Sequence, residues 1–343
     1  MLTDQNLQRL WYQSQPRWLF VLLIPLSCVF FVAVTLRRAL YRWRLFEAGR
    51  VSVPVIVIGN VTVGGTGKTP FVIWLAERLR ARGRKVGIIL RGYGGRSAHW
   101  PRAVDAQTPT SEVGDEAVLH AIRTGAIVVA GPDRVAAAEL AVRLGADVVL
   151  SDDGLQHYRL ARDAEICVLD HQRGVGNGWL LPAGPLREPK SRANTVDLVV
   201  RTVRNSLTVA SERERADVFS HPRLMNAVSL TSSETRALAS FTSDRVHAVA
   251  GIGNPQAFFD ALRDVGLQLD ARALSDHAEL TKSDIVFADD LPVLMTEKDA
   301  VKCRAFATAR HWYVPLTIEI VTADIGKIDA LIDQVLRSPP RSR

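Results

Sequence analysis

A doubly wound, mostly parallel α/β fold, joined to a second, smaller α/β unit and preceded by an apolar N-terminal helix, is what the sequence predicts. Three observations predict it. Short β-branched runs such as Val53–Ile58 (VPVIVI) alternate with helical stretches, the pattern of strands buried on both faces of a parallel sheet. The same alternation resumes after residue 240, in VHAVAGIG followed by PQAFFDALRDVG. Finally, Trp18–Leu36 reads WLFVLLIPLSCVFFVAVTL, 19 residues without a charge. At 343 residues the chain has room for about two domains. With 47% hydrophobic residues it is not a disordered chain, and 3 scattered cysteines make no disulfide framework. Cys28, Cys167 and Cys303 sit among apolar neighbours, as packing residues do. No Cys/His spacing suits a zinc site. The net charge of +7 leaves three partner classes open: nucleic acid, an anionic membrane surface or a phosphorylated substrate.

The uncharged run is near the lower end of the length that spans a bilayer. Arg17 precedes it, and Arg37, Arg38, Arg42 and Arg44 follow it. Trp11, Trp18, Tyr41 and Trp43 sit at its ends, where interfacial rings belong. The arginines behind the run place that side in the cytoplasm, and the weakly charged start MLTDQNLQRL does not resemble a cleaved signal peptide. Two arrangements remain open, a true span and an anchor lying in the interface, and Pro25 offers a break into two shorter helices.

The first strand run is followed by Gly59-Asn60-Val61-Thr62-Val63-Gly64-Gly65-Thr66-Gly67-Lys68-Thr69-Pro70, then a helix (FVIWLAERLRARG) and a second strand (Lys85–Leu90). Strand, glycine-rich loop and helix form the context of a phosphate-binding loop, a P-loop. Glycines let successive N–H groups turn inward on phosphate oxygens, and the helix N-terminus adds partial positive charge. Thr62, Val63, Gly64, Gly65, Thr66 and Gly67 are the candidate cradle, Lys68 the cation for the β- and γ-phosphates of ATP, and Thr69 the hydroxyl for Mg2+. Thr62 stands where the general pattern has glycine. The strand Asp147–Leu150 ends in Asp152-Asp153, acids at the carboxyl edge of the sheet and candidate metal ligands. Arg91 and Tyr93 follow the second strand to the same edge, and Gly114-Asp115-Glu116 opens a helix that Asp115 is placed to cap. AIVVAG (126–131) and EICVLD (165–170) supply further strands.

In this order, several motifs resemble the tetraacyldisaccharide 4′-kinases, the lipid A 4′-kinases. They are Val61–Pro70, Arg91-Gly92-Tyr93-Gly94, Gly114-Asp115-Glu116, Asp152–His157, Leu181–Pro189, Ala250–Pro255, Asp276-His277 and Met295–Lys302. The family also has threonine at position 62. The resemblance implies transfer of the ATP γ-phosphoryl to the 4′-hydroxyl of a tetraacylated glucosamine disaccharide 1-phosphate, giving lipid IVA. It implies a lipid substrate at the cytoplasmic face of the bacterial inner membrane. It further implies Glu188 as an acid at the metal, Asp115 acting on the attacking hydroxyl with His277 as its partner, and Arg91, Tyr93, Gln156 and Arg187 lining the substrate cleft. After His277 the chain reads Ala278-Glu279-Leu280, where relatives often carry another histidine and an aromatic.

A partitioning-type ATPase loop needs lysine where this chain has Val63, and no aromatic–basic motif supports nucleic-acid binding. The expected layout is therefore an anchoring helix within 1–48, a P-loop domain at 49–205, a linker at 206–240 and a smaller α/β domain at 241–343. The expected partners are the lipid and the membrane rather than nucleic acid, with a monomer favoured.

Overall fold

The computed structural model describes residues 4–13, 17–204, 218–242, 245–276 and 278–337. The chain opens with helices α1 (Asp4–Gln13) and α2 (Arg17–Arg42). It continues through β1 (Val55–Gly59), α3 (Lys68–Ala81), β2 (Val86–Leu90), β3 (Arg102–Val104), α4 (Thr110–Val113), α5 (Asp115–Thr124), β4 (Ile127–Ala130), α6 (Arg134–Arg143), β5 (Val148–Ser151), β6 (Ala164–Asp170) and β7 (Leu198–Thr202). Then come β8 (Val218–Leu224), β9 (Ala227–Ser229), β10 (Thr235–Arg236), β11 (Arg245–Ala250), α7 (Pro255–Asp264) and β12 (Gln268–Ala273). The last elements are α8 (Lys282–Ile285), β13 (Val293–Thr296), α9 (Glu297–Cys303), β14 (His311–Val314), β15 (Leu316–Ile320) and α10 (Thr322–Arg337).

Two sheets result. The larger has the order β15-β8-β7-β6-β1-β5-β2-β4-β3 and is parallel from β8 to β4, with antiparallel strands at both edges. Its strands are buried on both faces, which is why they read as continuous apolar runs. Ile56 and Ile58 of β1 join Phe71, Leu75 and Leu79 of α3 in one core. Val55 and Val57 face the other way, onto Ala137, Ala138 and Ala141 of α6. The smaller sheet has the order β10-β9-β14-β13-β11-β12 and its own core around Phe241, Val246, Phe259 and Leu294.

The boundaries differ from those the sequence suggests. Residues 218–224, expected in a linker, form β8 inside the large sheet, and WYVPLTIEI, which reads as one unit, divides at Pro315. β14 pairs in the small sheet and β15 returns to the large one beside β8. Pro315 has no N–H to continue a ladder, so the strand can change sheets there. Helix α10 then packs Ile328, Ile332 and Val335 into the first core, and Arg78 of α3 pairs with its Asp329.

Pro25 lies inside α2, which runs unbroken from Arg17 to Arg42. One face of the helix is docked. Leu19 and Leu23 are buried, and the buried Ser27 hydroxyl donates to Leu180 O (2.9 Å) and accepts from Ala183 N (2.9 Å). The Phe20 ring meets Trp179 near the start of the helix, while Arg38 donates to the Thr195 hydroxyl and Tyr41 packs on Tyr158 near its end. The opposite face leaves Trp18, Val21, Leu22, Leu26, Val29 and Val32 exposed. Trp18–Arg42 has the length and composition of a membrane span, with a mean hydropathy of 2.8 over its most apolar 18 residues.

Candidate active site

A cleft of about 1530 Å³ runs between the carboxyl edge of the large sheet and the small-sheet half. Its floor near β1 is the expected phosphate loop. Val63 N donates to Pro185 O and Arg187 N to Val61 O, so the Leu181–Pro189 segment braces the loop from outside. The buried Asn60 amide donates to the Thr66 hydroxyl, and Thr202 of β7 donates to Thr66 O (3.0 Å). Gly67 has φ 88°, in the left-handed region, and a Cβ there would stand 2.7 Å from the Thr202 hydroxyl. Any other residue would be both strained and blocked. No side chain caps the first turn of α3, so its N–H groups point into the cleft with their partial charge unspent. Thr62 is buried and bridges to Leu186, which is what a β-branched residue does better than glycine.

The acids behave differently from one another. Asp153 pairs with Lys68 (3.5 Å) and takes both oxygens to Arg187 Nη1 (2.9 and 2.8 Å). Burial works against its charge, but Lys68 and Arg187 outweigh that and hold the carboxyl well below the usual range. Asp152 is 3% exposed; its Oδ2 meets His120 Nε2 at 2.9 Å and its buried Oδ1 has no partner. Glu188, expected beside them at the metal, is buried in a network of its own. It accepts from Tyr158 OH and from Gln156 Nε2 (2.9 Å), and Arg192 Nε lies 3.8 Å away. That carboxylate is already committed on both oxygens. Burial and Glu188 push the Tyr158 phenol up to about 12, keeping it a donor. Burial, with Arg134 nearby, pushes the His157 imidazole down to about 4.

Gln156, Arg187, Arg91 and Tyr93 line the cleft as expected, Tyr93 with 62% exposure. Asp115 is not the cap of its helix: Gly114 is, and Asp115 is the first helical residue, with Oδ1 accepting from Glu116 N. The side chain is buried against Lys302 (3.2 Å), and Glu116 beside it lines the cleft and pairs with Lys298 (3.2 Å). Both lysines come from α9, in the motif Met295–Lys302. His277 lies outside the described residues; its neighbour Asp276 pairs with Lys298 (3.3 Å). The Gly251–Pro255 loop closes over the phosphate loop, where a Cβ on Gly253 would lie 3.1 Å from Gly65 N.

Residues without an assigned role in the sequence also reach the site. His120, Arg134, Glu116, Lys298 and Lys302 hold its acids or its walls, and Phe30, Val34 and Arg37 of α2 line its outer end. The two lysines and Glu116 lie in motifs already visible, and Phe30, Val34 and Arg37 in the apolar segment and its flank; His120 and Arg134 carry no local signal.

Among the described residues, no group of three or more His, Cys, Asp or Glu side chains stands ready to hold a metal. Asp152, whose Oδ1 is bare, and Thr69 both line the cleft, and such oxygens suit Mg2+, which takes one or two protein oxygens and fills its shell with phosphate and water.

Known proteins resemble the chain over nearly its whole length. The family described as tetraacyldisaccharide-1-P 4′-kinase matches residues 19–337. A tetraacyldisaccharide 4′-kinase of Nitrosococcus oceani is 46% identical over 96% of this chain and 95% of its own. Another, from Stenotrophomonas maltophilia, is 49% identical over 91% of this chain and 92% of its own. The crystal structure of LpxK from Aquifex aeolicus in complex with ATP superposes with a TM-score of 0.79 at 27% identity, covering 93% of this chain and 99% of that one. On the strength of a full-length match in sequence and fold, centred on an ATP-type phosphate loop, the chain belongs to the tetraacyldisaccharide-1-P 4′-kinase family.

Proposed function

We propose that this ATP-using kinase of a tetraacyldisaccharide performs its transfer in the cleft, with nucleotide phosphates on the loop 62–69 and the acceptor sugar toward α2 and Asp115. The observation that carries the reading is the uncapped, glycine-lined start of α3 opening into the same cleft as Asp152 and the apolar residues Phe30 and Val34. Phosphoryl transfer asks mainly for positioning and charge neutralisation. Lys68 would leave Asp153 for the β- and γ-phosphates, a short exchange because the pair stands 3.5 Å apart. Arg187 would keep Asp153 anchored meanwhile. Mg2+, held by Thr69, Asp152 and Asp153, would neutralise developing charge on the phosphates. Glu188 then serves as the anchor that fixes Gln156 and Tyr158 along the acceptor side.

Asp115 would accept the proton of the attacking hydroxyl, with His277 as its partner. Lys302 keeps that carboxylate directed from the α9 side. The assay is transfer of labelled γ-phosphate from ATP to the lipid disaccharide in detergent micelles. A folded, ATP-binding protein that transfers no label would overturn the reading.

The membrane contact belongs to α2. A 26-residue helix is roughly 39 Å long, enough to cross a bilayer. Yet both its ends touch the α/β body, through Phe20–Trp179 and through Arg38–Thr195. A helix fastened along one face of a soluble body lies in the interface, with the Val21–Val32 face in the lipid and Arg42 and Arg44 on anionic headgroups. This supports an in-plane anchor on the cytoplasmic side of the inner membrane, with the cleft mouth at the lipid surface. Quenching of Trp18 fluorescence by lipids brominated at shallow positions checks it. Labelling of the two helix ends from opposite sides of a vesicle would overturn it.

A further inference from the structure

We infer that His120 is a positioning residue for phosphoryl transfer: it fixes which oxygen of Asp152 is offered to a divalent cation in the cleft. The inference rests on the metal-holding role proposed for Asp152. His120 is fully buried on α5, and its ring reaches across to the end of β5. Nε2 stands 2.9 Å from Asp152 Oδ2. A carboxylate only accepts, so Nε2 carries the proton of that bond. Nδ1 is itself buried without a partner.

The backbone on either side of Asp152 is also held. Its N–H donates to Ile89 O (2.9 Å), and its carbonyl accepts from Arg134 Nη2 (3.4 Å). With Oδ2 taken by a buried ring, the carboxylate of this cleft-lining residue has one oxygen without a partner, the buried Oδ1. A buried carboxylate oxygen left bare is costly unless a ligand brings it a partner.

Asp153 shows the contrast. Two cations, Lys68 and Arg187, already meet both of its oxygens. Asp152 receives one N–H bond from the His120 ring on Oδ2 instead, so its direction is fixed while Oδ1 stays available. The same helix begins with Asp115, five residues earlier and roughly 7.5 Å along the axis. One rigid element therefore registers the proposed base against the proposed metal acid.

The experiment measures Mn2+ binding by electron paramagnetic resonance to the full-length protein loaded with a non-hydrolysable ATP analogue. Outer hydrogen bonds to metal ligands are commonly worth about 10–100-fold in metal affinity. His120→Phe should weaken Mn2+ binding by about that factor and raise the Mg2+ concentration for half-maximal turnover equally. Metal-free nucleotide binding and the KM for the lipid should stay unchanged. His120→Gln, which keeps an N–H donor, should recover part of the loss. A folded His120→Phe protein with wild-type Mn2+ affinity overturns the inference. So does a loss shared equally by metal-free nucleotide binding and not relieved by glutamine, which marks a packing role. Asp152→Asn separates the two levels. If it leaves Mn2+ affinity unchanged, the metal reading fails and the inference with it. If it weakens binding while His120→Phe does not, only the role of His120 falls.

Discussion

The two walls of the cleft are held by different forces. On the large-sheet wall the phosphate loop hangs on backbone hydrogen bonds to the 185–187 strip and on the buried Asn60 and Thr202 side chains. The facing wall is joined to it by charge pairs: Arg123 with Glu297, Lys298 with Glu116, and Lys302 with Asp115. Backbone bonds in a buried loop fix geometry to within tenths of an ångström and ignore salt. Charge pairs between side chains can change partners; Lys298–Glu116 is the most exposed of the three, while Arg123–Glu297 and Lys302–Asp115 are largely buried and feel salt less. The wall that must hold a triphosphate in one pose is thus rigid, and it also carries the proposed base Asp115 at the start of α5. The facing wall, which supplies Lys298 and Lys302 from α9, is fastened to it by side-chain pairs that can be exchanged.

The comparison can be broken from either side. The largest expected effect is on the large-sheet wall, where α5 begins. Asp115→Asn should lower kcat by about 10²–10⁴ with folding intact, the span of positioned general-base catalysis. Near wild-type turnover on the lipid disaccharide would remove Asp115 from the mechanism. On the same wall, Glu188→Ala leaves Tyr158 and Gln156 without their buried acceptor, while Arg192 keeps Glu165. It should cost about 1–3 kcal/mol of stability in chemical denaturation. A variant of unchanged stability that has lost only activity would return Glu188 to the metal. Lys68→Ala should lower kcat by about 10²–10³, as does loss of other transition-state charge donors, while the melting temperature holds. Lys298→Ala tests the exchangeable wall. It should lower kcat/KM by about tenfold or less, and added salt should reproduce much of the loss in the wild type. A large, salt-insensitive loss would place Lys298 on the substrate itself.

The smallest effect is one of pH. The buried His157 has its pKa lowered to about 4, below the ordinary value of 6.5. Between those values the unfolded chain binds more protons than the folded one. Stability is therefore full above pH 6.5 and falls as the pH drops toward 4. His157→Gln should flatten that part of the profile, read by denaturant midpoints across the range.

Much of the first core was legible because its signals are local. A strand buried on both faces has to be apolar throughout, and Val55–Gly59 and Val86–Leu90 are. The phosphate loop declares itself by glycines that only a left-handed turn requires. What stayed hidden depends on pairings far apart in the chain. β8 includes His221, Pro222 and Arg223 and reads as polar linker, since these fourth-to-sixth residues lie beyond the pairing with β7 and meet only the edge strand β15. Glu188 reads as a metal acid until Tyr158 and Gln156 are seen to fill its oxygens. His120 sits in EAVLHAIR like any helix residue; only the arrival of β5 beneath it gives the ring a purpose.

The switch of sheets at Pro315 has a consequence for synthesis. The small-sheet half is continuous from β9 to β14, whereas the large sheet needs β15 and α10, which are made after everything else. A growing chain thus delivers helix α2 before the large sheet, and the outer strand β15 only after the small-sheet half. The inserted half can close while it waits, because β9 to β14 are all made before β15. The parallel core, with the highest sequence separation between partners, stays open-edged until the end, and its exposed strand is where a stalled or truncated chain would aggregate.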